Sequence, residues 1–293
     1  MDASPKAGER RVQILSALHL NGPLSLTTLQ KLIKPAMSSR RLQEVTKRLL
    51  DRKLILRYHD SIHEKSVHYF QISQSKSARK CIASWLNIDP EKLIQKHFRG
   101  QELKHGEQCA LWGEKIVALF PEAKVGRYFY VQDGKGSKNG DGGFKRDESV
   151  PDIVLEFPAG DGLEKIVVGF EIERTRKNSK RATEKIRGLV SKTNYDGMVY
   201  ICGSDLLAEK IRDIFSKQLF SKSKRVGHYW RNFMLFSSFS NTDSLGSLLV
   251  NVELFPVDLV HWIHKLRTTP LYLRRDIDFD FPAKVRWEID EEF

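Results

Sequence analysis

Three carboxylates in the middle of the sequence have the residue types and spacing of a divalent-metal site. Asp152 follows Pro151 at the start of an apolar run, and Glu171 and Glu173 stand at the end of the next one. Because side chains alternate along a strand, the two glutamates share a face, and a hairpin pairing would bring Asp152 beside them. Converging carboxylates repel one another, and a hard cation such as Mg²⁺ or Mn²⁺ relieves that repulsion. The pattern therefore predicts metal-assisted phosphodiester hydrolysis, with salt bridges at a strand end as the plainer alternative.

Basic residues follow these carboxylates closely. Residues 174–192 hold eight basic residues and one acid, so this side of the protein is expected to face phosphate. Lys177 and Lys185 are the candidates for stabilising charge on a reacting phosphate, with ordinary solvated lysines as the alternative. His105 is an additional candidate from the preceding helix. The residues predicted to contact DNA here are Arg174, Arg176, Lys180 and Arg181.

The elements that must position these groups can be placed from hydrophobic periodicity. Apolar runs predict strands at 151–157, 166–174 and 197–203, the last of them central because it is the most apolar. Helical spacing predicts helices at 105–120, 181–190 and 205–217. The glycine-rich stretch 133–143 lacks the pattern of a phosphate-binding loop and is interpreted as a connection.

The first quarter of the chain has a different character. The protein carries a net charge of +12, and residues 1–80 contain 16 basic and 6 acidic residues. Helices are predicted from residue 9 to 21, from Ser25 onward, and from Ser38 or Ser39 to about Lys53, followed by strands at 55–58 and 67–72. Three helices and a hairpin in this order indicate a winged helix, used for DNA or only for protein contacts. The third helix is expected to meet DNA through Ser38, Ser39, Arg40, Arg41, Gln43 and Lys47.

Two resemblances connect these regions. Pro151-Asp152 with Glu171-Ile172-Glu173 resembles the motif of the PD-(D/E)xK nuclease superfamily, in the variant whose final lysine is glutamate. The string EIERTRKNSKRATEKI followed by YDGMVYI resembles, more narrowly, the MOBC-type plasmid mobilisation relaxases. The resemblance covers residues 9–73 and 105–218. It implies that Asp152 and Glu171 are metal ligands, and that Glu173 is a ligand or orients the attacking water.

The resemblance also implies the architecture and the partners. We expect an α/β (α+β) protein with a winged helix-turn-helix domain at 1–75, a helical connector at 76–104 and a PD-(D/E)xK restriction-endonuclease-like domain at 105–293. That domain should contain a mixed central sheet flanked by helices. Double-stranded DNA with a transfer-origin-like site is the expected substrate, and accessory mobilisation or coupling proteins are the expected partners. Relaxases that use a histidine-hydrophobic-histidine site and a tyrosine are disfavoured, because the sequence contains no His-x-His.

Other activities stay open at this point. A restriction-like or transposase-subunit endonuclease would share the same acids but make double-strand cuts. A winged-helix regulator with a degenerate nuclease domain would bind DNA without cutting it. No run is long and apolar enough for a membrane span, and the three cysteines show no paired spacing, so a cytoplasmic location is expected. The acidic end of the chain, 276–293, is expected to be a solvated tail rather than a phosphate mimic.

Overall fold

The computed structural model describes residues 7–60, 67–93, 101–127, 151–175, 179–191, 195–220, 233–238, 249–251 and 256–269. Within these ranges the chain forms two compact units, one of residues up to Lys115 and one of residues from Ile116 onward. The expected combination of helices with a mixed sheet is confirmed. No helix in the described ranges combines the length and the apolarity needed to cross a bilayer.

The first unit begins with helices and a small antiparallel sheet. Its elements are α1 (Ala7–Asn21), β1 (Leu24–Ser25), α2 (Leu26–Leu32), α3 (Ser39–Asp51), β2 (Ile55–Asp60) and β3 (Val67–Ile72). Strands β2 and β3 form the expected hairpin, with Ile55 opposite Ile72. The sheet order is β1-β3-β2. Strand β1 was not predicted, because two residues are too few to show an alternating pattern.

The helix starts of this unit follow from local chemistry. The Ser25 hydroxyl accepts a hydrogen bond from the backbone N–H of Thr28, and Ser38 does the same for Arg41, both at 3.3 Å. Each serine thus satisfies a backbone donor that the first helical turn leaves without a partner, which confirms both predicted starts. Helix α3 ends slightly before the predicted Lys53, which adopts a left-handed φ of 55°.

A further pair of helices completes the first unit. Helix α4 (Lys76–Leu86) caps on Ser75 and buries Ile82 in the same core as Leu15, Leu29 and Leu49. A 3₁₀ turn at Pro90–Lys92 follows, and α5 spans Gln101–Leu119. The segment predicted as a connector therefore supplies a helix to this core.

Glu107 ties helix α5 to the small sheet. Its carboxylate accepts hydrogen bonds from the backbone N–H of Ser25 at 2.9 Å, the hydroxyl of Thr28 at 2.7 Å and the hydroxyl of Tyr69 at 3.4 Å. Three donors from β1, α2 and β3 converge on one side chain. Glu107 thereby fixes the part of α5 that belongs to this unit against the entry to α2.

The second unit is built on a mixed sheet. The described strands are β4 (Lys124–Arg127), β5 (Ile153–Phe157), β6 (Ile166–Glu173), β7 (Gly197–Cys202), β8 (Met234–Ser238), β9 (Leu249–Val250) and β10 (Pro256–Val257). They lie side by side in the reverse of this order, so β7 is central, as predicted. Strands β4, β5 and β6 pair antiparallel, whereas β6, β7 and β8 are parallel.

Helices cover both faces of this sheet. Helices α6 (Ser179–Ser191) and α7 (Asp205–Phe220) pack on the face that carries Met198, Tyr200 and Phe236. Helix α8 (Leu259–Thr268) lies against the opposite face, where a Cβ on Gly197 would come within 2.5 Å of Trp262. The close approach of α8 explains why β7 begins with glycine. The parallel connections through α6 and α7 bring the ends of β6, β7 and β8 to one edge of the sheet.

Candidate active site

Asp152 and Glu171 lie next to each other at the edge of the sheet where β5 begins and β6 ends. Ile153 pairs with Phe170 in the antiparallel register, which puts the preceding Asp152 beside Glu171. One carboxylate oxygen of Asp152 accepts a hydrogen bond from the backbone N–H of Ile172 at 2.9 Å. Both acids have no exposed surface. The hairpin predicted from the sequence is therefore present, and it joins the first acid to the second.

Glu173 completes the group of acids. It stands two residues after Glu171 on the same strand, so both side chains are on one face. Its side chain is also buried, with 5% of its surface exposed. Burial strongly disfavours an ionised group, so the three carboxylates at the start of β5 and the end of β6 favour positive charge close to them.

Lys185 supplies part of that counter-charge from helix α6. Its ammonium forms an ion pair with Glu171, and the lysine is only 7% exposed. The neighbouring Ala182 and Ile186 are buried in the core between α6 and the sheet, so the same helical face carries Lys185 inward. Of the two lysines nominated from the sequence, the structure brings this one to the acids. Lys177 and Arg176 lie outside the described residues.

Tyr200 is a buried neighbour of the acids that sequence reasoning left without a role. The parallel register pairs it with Glu171, and 1% of its surface is exposed. Burial, and after it the negative charges of Glu171 and Glu173, raises the pKa of Tyr200 well above 10.0. The phenol is therefore neutral at physiological pH. The sequence alone did not indicate that Tyr200 lies beside Glu171, because a strand that is apolar throughout does not show which side chains share a face. The register between β6 and β7 establishes this neighbourhood.

Backbone contacts hold the ends of β6 and β7 together beyond the acids. The backbone N–H of Gly203 donates to the carbonyl oxygen of Glu173 at 2.7 Å. A Cβ on Gly203 would overlap the carbonyl of Arg174. Only glycine fits this approach without a shift of the backbone that carries Glu173.

The other described residues predicted for this site belong to several different elements. Arg174 is half-buried at the end of β6, and Lys180 and Arg181 are exposed at the start of α6. His105 belongs to the first unit, where its Nε2 lies 3.7 Å from the Sγ of Cys109 on the same helix. Its predicted role at the site stays a prediction.

Helix α3 presents the polar surface expected of it. Ser38, Ser39, Gln43 and Lys47 are exposed, and the Arg40 side chain is 92% exposed. Arg40 and Arg41 contact Glu44 at 3.4 and 3.2 Å. The hydrogen bond from Arg41, with that from Arg40, lowers the pKa of Glu44, so this acid is ionised at neutral pH. Ion pairs in solvent are weak, so both guanidinium groups can leave Glu44 and bind an anion of higher charge.

In comparisons with known proteins, no protein-family model, no curated protein and no solved structure matches the chain. Its function is therefore argued from the residues and their geometry.

Proposed function

We propose that this protein is a divalent-metal-dependent DNA endonuclease that binds its site through the first unit and cuts DNA at the acids of the second. The observation that carries the proposal is the burial of Asp152, Glu171 and Lys185 together at one sheet edge. The ion pair of Lys185 with Glu171 lies beside two further buried acids, Asp152 and Glu173, and three neighbouring carboxylates are a suitable set of ligands for a divalent metal. We interpret the first unit as a winged helix and the second as a PD-(D/E)xK-like nuclease domain.

The donor atoms suit the metal that such chemistry needs. Asp152, Glu171 and Glu173 offer carboxylate oxygens, which Mg²⁺ and Mn²⁺ prefer over nitrogen or sulfur. A bound ion of this kind would lower the pKa of water and polarise the scissile phosphate. Asp152 and Glu171 would hold it, and Glu173 would hold it or orient the attacking water.

The protein's own groups contribute charge and position. The hydrogen bond from the Ile172 N–H fixes the Asp152 carboxylate before any substrate arrives. The Lys185 ammonium, already placed at Glu171, would stabilise the additional negative charge of the pentavalent phosphate. Lys185 would thereby take the role of the lysine that the nuclease motif has at the position occupied here by Glu173. Water would then attack phosphorus and give up a proton to Glu173 or to solvent, the bond from phosphorus to the leaving oxygen would break, and that oxygen would take up a proton from solvent.

Recognition is assigned to helix α3. Its exposed face carries Arg40, Gln43 and Lys47, which are side chains that read base edges or contact phosphate in the major groove. The sequence resemblance to mobilisation relaxases extends the proposal to nicking of one strand at a transfer origin, with accessory mobilisation or coupling proteins as partners.

The test is cleavage of a supercoiled plasmid that carries the native locus. Wild-type protein and the Glu171→Gln variant are incubated with Mg²⁺, with Mn²⁺ or with EDTA, and Glu184→Gln serves as the control because Glu184 is an exposed acid of the same helix as Lys185. We expect open circles from wild type and from the control, only with metal. Linear product would instead indicate a restriction-like enzyme.

A non-catalytic protein would give a different pattern. Intact plasmid in every lane, together with tight DNA binding that EDTA does not alter, would contradict the nuclease proposal and favour a regulator. Because accessory proteins are expected partners, the same lanes are repeated with extract from cells that carry the locus.

A further inference from the structure

Two histidines lie side by side on the hairpin of the first unit. His59 of β2 is directly opposite His68 of β3 in the antiparallel register. Their ring centroids are 5.2 Å apart, the ring planes are inclined by 62°, and both side chains are exposed. Residues that are directly opposite in such a pair share a face of the sheet and have Cβ atoms about 4.5–5.5 Å apart. The two imidazoles are therefore held together by the backbone of the hairpin.

The register that joins these histidines is fixed elsewhere in the sheet. Ile55 and Ile72 form the pair at the other end of the hairpin, and both are buried. Strand β3 is also bound on its other side by β1. A slip by one residue would turn the buried apolar side chains to solvent. The two imidazoles therefore keep their places whether or not they contact each other, and ligands positioned in advance bind an ion at a lower entropic cost.

Imidazoles at this spacing suit a transition metal. Imidazole nitrogen is a good ligand for Zn²⁺, Cu²⁺ and Ni²⁺, whereas Mg²⁺ prefers oxygen. Two nitrogens bound to one tetrahedral Zn²⁺ at about 2.0–2.1 Å lie about 3.3 Å from each other. Because each nitrogen lies off its ring centre, centroids 5.2 Å apart are compatible with this distance once rotation about the Cβ–Cγ bonds turns one nitrogen of each ring towards the other. The pair therefore offers two ligands to one ion of this class.

Arg57 is a charged neighbour that distinguishes a cation site from an anion site. It precedes His59 by two residues on β2, so it shares the face of the histidines, and its side chain is exposed. A bound phosphate would use its guanidinium together with the imidazole N–H groups. A bound cation would gain nothing from Arg57, because like charges repel each other. Replacement of Arg57 therefore has opposite consequences for the two kinds of ligand.

We propose that His59 and His68 bind Zn²⁺ across the two strands of the hairpin, with water at the remaining positions of the tetrahedron, and that the ion fastens β2 to β3. An ion that binds the paired strands and not the opened ones stabilises the hairpin by mass action. The proposal does not rest on the nuclease function. The hairpin belongs to the first unit, whereas the acids assigned to Mg²⁺ or Mn²⁺ belong to the second and offer oxygen ligands.

Zinc binding is measured on full-length protein with isotope-labelled histidines, which is treated with EDTA and then transferred to buffer without it. Zn²⁺ is added at constant pH, and the ring nitrogen resonances in NMR spectra report each histidine separately. The site variants are His59→Gln and His68→Gln. The control is His261→Gln with His264→Gln, which removes two exposed histidines from α8 and leaves the hairpin unchanged.

We expect the resonances of His59 and His68 to move together along one binding curve in wild type and in the control, with affinities within twofold of each other. In each site variant the remaining hairpin histidine should bind Zn²⁺ at least tenfold more weakly, because one of two ligands is lost. Equal affinity in wild type and the site variants, or resonances that do not move, would overturn the proposal. Arg57→Gln should leave the zinc affinity unchanged or raise it. If inorganic phosphate moves both resonances instead, and Arg57→Gln abolishes that effect, the pair is an anion site and the metal proposal is wrong.

The fastening of the strands is measured by amide hydrogen exchange. Exchange of the β2 and β3 amides should slow at least threefold when Zn²⁺ saturates wild type, and should not change in His59→Gln. Exchange without Zn²⁺ shows whether a variant keeps its hairpin, since loss of the hairpin would speed exchange throughout both strands. If both rings bind the ion together and exchange does not change, the fastening is wrong and the metal site stands. Neither measurement uses DNA cleavage, so failure of the nuclease proposal would leave both results valid.

Discussion

The buried ion pair of Lys185 and Glu171 connects the stability of the second unit with its proposed chemistry. The two side chains are 7% and 1% exposed, so solvent screens their interaction little. Lys185→Met keeps the length of the side chain but removes the charge, which leaves Glu171 buried without its ammonium partner. Breaking a buried pair in this way costs roughly 3–5 kcal/mol. For a unit of this size that corresponds to a fall in Tm of about 6–20 °C.

The double variant Lys185→Met with Glu171→Leu separates stability from activity. Replacement of both charges by apolar groups of similar volume is often neutral for stability, so most of the lost Tm should return. Cleavage should stay absent, because the metal ligand and the ammonium are both gone. Addition of Mg²⁺ at a hundredfold excess over its Kd should stabilise wild type by about 2.7 kcal/mol and the double variant by far less.

Calorimetry with Mg²⁺ and with EDTA measures these changes for wild type, both variants and the Glu184→Gln control. A loss below about 1 kcal/mol in Lys185→Met, the range of exposed ion pairs, would contradict the buried pairing. Equal stabilisation of wild type and the double variant by Mg²⁺ would place the cation away from Glu171.

Four further predictions follow from individual contacts. Arg40→Ala with Arg41→Ala should weaken binding of specific DNA about tenfold or more while plasmid nicking at saturating protein persists, as measured by gel shift and cleavage; equal loss of both would contradict a division between the two units. Tyr200→Phe should keep cleavage within a few-fold of wild type, because a buried neutral phenol is no nucleophile; complete loss in the plasmid assay would refute this. Gly203→Ala should lower cleavage more than it lowers DNA binding, since the new methyl group displaces the backbone around Glu173, and unchanged kcat would exclude that displacement. Burial lowers the pKa of His19, so the folded first unit binds this proton less readily than the unfolded chain. The stability of the first unit should therefore be highest above about pH 6.5 and should fall as the pH drops towards the pKa of His19 in the folded unit. Urea unfolding at several pH values measures this dependence, and His19→Gln should make it weaker.

Much of this architecture could be predicted from short stretches of sequence. Ser25 and Ser38 mark the starts of α2 and α3 because a serine hydroxyl caps the helix that follows within three residues. The apolar run of β7 indicated a central strand, since a strand covered on both faces carries no alternation. Glu171 and Glu173 were expected on one face because side chains alternate along a strand with a period of two. Each of these signals is local, so no information about distant residues was needed.

Tertiary structure decided which groups meet. Lys185 was one of two lysine candidates in sequence, and the packing of Ala182 and Ile186 against the sheet turns it inward to pair with Glu171. Tyr200 joined the acids through the parallel register of β6 and β7, and Glu107 reached Ser25 across 82 residues of chain. Register and helix packing depend on contacts between elements far apart in sequence. The residue types with chemical capacity were therefore visible in the sequence, but their distances and burial, on which the proposed chemistry depends, were set only when the sheet and its helices packed together.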